Sequence, residues 1–114
     1  MKETLEEITY IISEYKSIEG LDGQTLNTML REITSRLFYL EAERAKFKHS
    51  YERAVFNEVK NGSTVSRAVN KAEVDFPELY MLRRFMEAGY RVSDAIRTNI
   101  SFIKSEMNHL KANQ

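Results

Sequence analysis

The chain has 114 residues, enough for one domain with a modest core and too few for two. Its 42% hydrophobic and 30% charged residues, with one proline and four glycines, exclude a disordered or fibrous chain, and the lack of cysteine excludes a disulfide framework, a thiolate metal site and a cysteine nucleophile. Basic and acidic residues number 17 each, which argues against a generic polyanion binder. The balance is nevertheless uneven. Residues 46–71 hold Lys46, Lys48, Arg53, Lys60, Arg67 and Lys71 against Glu52 and Glu58, so an anionic ligand is expected at the middle of the chain.

A first helix is predicted over about 2–17, with Leu5, Ile8, Ile11, Ile12 and Tyr15 on its apolar face. Glu3, Glu6 and Glu7 stand where a secretory leader would need basic and then apolar residues, and no window approaches the length of apolar chain a membrane helix needs. A cytoplasmic protein without a membrane span is therefore expected. Gly20 and Gly23 end the first helix, and Asp22 or Gln24 opens a long second helix over about 24–61.

The second helix has two unlike faces. Leu26, Leu30, Ile33, Leu37, Leu40, Arg44, Phe47 and Tyr51 alternate in steps of four and three, a heptad seam with one arginine in it. Arg44 either fixes register by pairing with an acid on a neighbour or marks the place where the core ends. On the opposite face Arg31, Tyr39, Lys46, His49, Arg53, Asn57 and Lys60 line up within about 60° of Lys46. Cations with an amide and an aromatic on one face suit a phosphate backbone and its bases, Tyr39 being placed to stack. The plainer alternative is a solvated helix face, with Tyr39 an amphipathic packing residue.

Asn61-Gly62-Ser63 ends that helix, with Gly62 suited to a left-handed position and Ser63 to capping a short helix over about 64–74, which carries Arg67 and Lys71. Asp75-Phe76-Pro77-Glu78 reads as the start of a last helix over about 76–112, with Asp75 as N-cap and Glu78 closing a capping box. Its seam runs Leu82, Met86, Gly89, Ser93, Ile96, Ile100, Ile103, Met107, Leu110.

The fold class expected is all-α, with two long antiparallel helices plus short ones. Helices of about 37 residues each span roughly 55 Å, far beyond a compact domain of this length. Their seams offer more apolar edge than the short helices cover, so a homo-oligomer is expected, its interface formed by Leu30, Ile33, Leu37, Ile96, Ile100 and Ile103. The alternative is a monomeric hairpin in which the long helices cover each other. Enzyme signals are poor: Glu106 and His109 have the Glu-x-x-His spacing of a carboxylate di-metal site, but His49 has no glutamate three residues before it. No phosphate loop or nucleophile elbow occurs. No catalytic residue, metal or cofactor is therefore expected. Asn61-Gly62-Ser63 and Asn99-Ile100-Ser101 match the glycosylation sequon by chance if the chain stays in the cytoplasm.

Leu40-Glu41-Ala42-Glu43-Arg44-Ala45-Lys46-Phe47-Lys48 resembles the middle of the UvsY family of phage recombination mediators. Leu82-Arg83-Arg84-Phe85-Met86-Glu87-Ala88-Gly89, Asp94-Ala95-Ile96-Arg97 and Ile103-Lys104 are similar to that family's last helix. The resemblance implies an all-helical protein of the host cytoplasm that assembles into a ring and binds single-stranded DNA with little sequence preference. It also implies that the protein helps load a recombinase past single-strand-binding protein. Lys46, Lys48 and His49, with Arg53 a turn further on, are the residues nearest to the family's basic contacts, although its Lys-x-Arg pair is not reproduced in register and has Lys46-x-Lys48 as its nearest equivalent here. The competing expectation is a small helical inhibitor or adaptor that binds a partner protein through its apolar seams.

Overall fold

The computed structural model describes residues 1–17 and 19–112 and contains α1 (Lys2–Ser17), α2 (Gly23–Lys60), α3 (Val65–Asp75) and α4 (Glu78–Ala112). Among the described residues there is no strand, and the fold is all-α. Asp22 opens α2, its Oδ1 accepting a hydrogen bond from the Thr25 N–H at 2.7 Å. Gly62, at φ +105°, supplies the left-handed residue beyond the other end.

Two local expectations are corrected at α3. Thr64 caps it, its hydroxyl accepting from the Arg67 N–H at 3.2 Å, while the Ser63 hydroxyl donates to Glu58 Oε2 at 3.3 Å. Asp75 is the last residue of α3 rather than the N-cap of α4, and only Phe76 and Pro77 separate the two helices. Pro77 disfavours helical geometry at the residue before it, and Phe76 sits at φ −126°, ψ 60°, so the break falls there. The expected capping box is not formed, and Glu78 Oε2 is buried without a hydrogen-bond partner.

The long helices run antiparallel. Gly23 lies beside Ile103 and Leu37 beside Gly89, so positions descend along α4 as they rise along α2, and the long Tyr90 side chain donates its hydroxyl across the pair to Glu41. α3 doubles back along the end of α2, where Lys71 meets Glu58 and Phe76 meets Tyr51 edge-on with ring centroids 6.4 Å apart. α1 covers the other end, tied to α2 by Arg36 and Glu7 and to α4 by Asn99 and Tyr15. The helices are offset along their length. The molecule accordingly measures 75 × 26 × 18 Å, with a radius of gyration of 20.3 Å against about 13 Å for a compact chain of this size.

The offset decides what the seams do. Leu26, Met29, Ile33, Leu37 and Leu40 of α2 are buried with Leu82, Met86, Val92, Ile96 and Ile100 of α4 and Ile8 and Ile11 of α1. Of the six residues expected at an oligomer interface, Ile33, Leu37, Ile96 and Ile100 are buried in this core, and Leu30 and Ile103 pack half-buried against it. They hold a single chain together, because antiparallel α4 covers the seam of α2 from within the same chain. Past Ile103 the α4 seam outruns α2, and Met107 and Leu110 are exposed.

Arg44 marks the end of this core. Its Nε is buried with no hydrogen-bond partner, and no residue of α2 from Glu41 to Lys60 is buried. Of the two roles open to it from the pattern, pairing with an acid on a neighbour is not the one seen. Beyond Arg44 the half-buried Phe47 still packs against the core, and the rest of α2 is supported by α3, whose buried residues are Ala68 and Ala72.

Candidate nucleic-acid interface

The outer face of α2 is built by helical periodicity alone: residues opposite the buried seam have no neighbour to cover them. Tyr39, Lys46, His49, Arg53, Asn57 and Lys60 are all exposed on it, along an uninterrupted helix. Lys46, Arg53 and Lys60 recur every seven residues, about 10.5 Å apart. Among the described residues Arg53, His49 and Lys60 have no ion-pair partner, whereas Lys46 donates to Glu43 at 3.2 Å, with the lysine side chain largely exposed. An ion pair this open to water is weak, and a phosphate can replace the carboxylate.

The structure separates the remaining predicted residues from this face. Lys48 is exposed but lies 200° round the helix from Lys46, toward the start of α4. Arg67 is exposed in the first turn of α3, beyond the Asn61–Thr64 turn. Lys71 is committed to Glu58, Nζ to Oε1 2.7 Å, which pins α3 to α2. The basic cluster of residues 46–71 is thus a stripe on α2 plus a latch.

The latch titrates. The Lys71 hydrogen bond and charge hold the Glu58 carboxyl below its ordinary value of 4.5, and Glu58 likewise raises the Lys71 ammonium. A carboxyl with a depressed folded value stabilises the fold above 4.5 and loses that contribution as pH falls through the lower folded value. The expected result is that the wild type loses denaturant resistance between pH 5 and pH 3 by more than Glu58→Gln does. Equal losses in both proteins would show that the latch contributes nothing.

Two residues of the outer face are absent from the sequence-based set. Phe38 is 75% exposed and Phe56 is 67% exposed. Both lie about 80° from Lys46, at the edge of the basic face and away from the buried seam. The same wheel that gathers the cations identifies them, once a phenylalanine is not assumed to be core. Phe38 and Tyr39 thus precede Lys46, His49 and Arg53, and Phe56 falls between Arg53 and Lys60, over the length of a short oligonucleotide.

The described residues show no group of three or more His, Cys, Asp or Glu that would hold a metal, and Glu106 and His109 stand in the exposed final turns of α4. The hollows are shallow grooves between helices. One of about 580 Å³ lies at the α3–α4 corner, lined by Arg44, Tyr51, Phe76, Pro77 and Tyr80 among others. No helix among the described residues is long and apolar enough to cross a membrane. No family model, curated protein or solved structure matches this chain.

Proposed function

We propose that the chain is a non-catalytic accessory protein that holds single-stranded DNA along the outer face of α2, the part that a recombination mediator plays for its recombinase and single-strand-binding protein. The observation that carries this reading is the presence of exposed aromatics and cations together on one face of one uninterrupted helix, with Glu43 the one acid paired to it. Cations neutralise phosphates and release counterions, and exposed rings stack on bases that a duplex keeps covered. Phosphates and the flat faces of bases are common to every nucleotide, so sequence preference is expected to be slight.

Fluorescence anisotropy with a labelled oligonucleotide over a range of salt tests it. Lys46→Ala, Arg53→Ala and Lys60→Ala together are expected to leave helicity intact and to lower the salt slope by about two, at roughly 0.7 per phosphate on a single strand. Lys2→Ala, Lys16→Ala and Lys111→Ala together are expected to change it much less. Equal binding by both triple variants would assign the α2 face to solvent. A second reading has its own support, since Phe38 and Phe56 flank the exposed Ala42 and Ala45 on that face and would suit a partner helix. Binding through those apolar groups would be nearly indifferent to salt, which separates the two readings.

A further inference from the structure

The outer face of α4 carries a second set of exposed rings and cations. Tyr80, Arg84, Arg91 and Phe102 fall within about 40° of one another on the helix wheel and are all exposed. Tyr80 and Phe102 are 66% and 62% exposed, and the Arg84 guanidinium lies over the Tyr80 ring at 5.9 Å. The acids nearest on the helix are already matched: Arg83 engages Glu87 at 3.3 Å and Arg97 engages Asp94 at 3.1 Å. Among the described residues Arg84 and Arg91 have no ion-pair partner and are left as net charge, about 10.5 Å apart along the axis.

This face and the α2 face point away from each other. Each lies opposite its own helix's buried seam, and the two seams meet in the core between them. With a cross-section of 26 × 18 Å, a strand lying along one face has no access to the other. We propose that the outer face of α4 is a second binding surface for single-stranded nucleic acid, so that one molecule bridges two strands. The proposal rests on reading the α2 face as a strand-binding surface. Charge selects the occupant: two uncompensated arginines beside two exposed rings suit a phosphate chain with unstacked bases.

The test uses two non-complementary poly-dT oligonucleotides, one labelled with a donor and one with an acceptor, and measures anisotropy and energy transfer on the same samples. The wild type is expected to raise anisotropy and to give energy transfer that peaks near one protein per two strands and falls with excess protein. Arg84→Ala with Arg91→Ala should keep the anisotropy rise and abolish energy transfer, circular dichroism confirming that the fold is kept. Energy transfer unchanged in that variant, including transfer caused by association of two protein copies, overturns the second surface and leaves the α2 assignment standing. An anisotropy rise without energy transfer in the wild type does the same. No anisotropy rise in the wild type at low salt overturns the proposed function itself. Polyglutamate binding that Arg84→Ala with Arg91→Ala abolishes, with no poly-dT bridging, would give this face to an acidic protein and overturn the proposal.

Discussion

Ile96→Asp is expected to unfold the chain outright. Ile96 is fully buried where the seams of α2 and α4 meet, and removing such a side chain alone costs about 2–5 kcal/mol. The carboxylate put in its place has no cation or N–H to pair with in that apolar layer, and the sum approaches the whole stability of a small domain, about 5–15 kcal/mol. Far-UV circular dichroism should show loss of helix at neutral pH. Phe56→Asp, which removes a larger but mostly exposed side chain, should keep the helical signal. The pair also tests the placement of the seams: a helical monomer from Ile96→Asp in sedimentation, beside an associated wild type, would return Ile96 to an interface between copies.

Gly89→Val should cost about 3 kcal/mol, from overpacking in a place where the helices touch. A Cβ at Gly89 would stand 2.7 Å from Leu37 Cδ2 and 3.4 Å from Cδ1, and Leu37 is 1% exposed with little room to turn. Valine recovers part of the helix propensity that glycine gives up, a gain below 1 kcal/mol that the clash outweighs. The partner can be shortened: Leu37→Ala should destabilise the wild type by about 2–5 kcal/mol but the Gly89→Val protein by far less. Denaturant midpoints of the four proteins give the coupling. Additive losses would mean that the helices move apart rather than clash at this contact.

The helices were legible because period reports on burial. Steps of four and three at Leu26 to Leu40 and at Leu82 to Ile100 mark one face of each helix, and those faces are the buried ones. Period does not say what covers a face, which is why the same residues also fitted an interface between copies. The covering is settled by non-local matches such as Gly89 against Leu37, which no local pattern displays. Local rules failed at Asp75, where an acid before a proline resembles a cap although the chain has room only for Phe76 and Pro77 between helices. Of the proposed interface, Lys46, His49, Arg53 and Lys60 share one exposed helix face, as the wheel places them. Lys71 was not, because its commitment to Glu58 depends on α3 folding back.

The end of the core at Arg44 divides the molecule by resistance to opening. From Leu26 to Leu40 α2 is packed among buried side chains of three helices, and its backbone amides there are expected to exchange only through unfolding of the whole chain. Residues from Glu41 to Lys60 carry no buried side chain of their own and are held by the half-buried Phe47, by Ala68 and Ala72 of α3, by the Tyr51–Phe76 contact and by the Lys71–Glu58 latch. That half can fray and reclose in fluctuations that leave the other half intact, so its protection against hydrogen exchange is shallow. The basic stripe lies on this loosely held half, where a bound strand would suppress the fraying and bind to a surface that it also rigidifies.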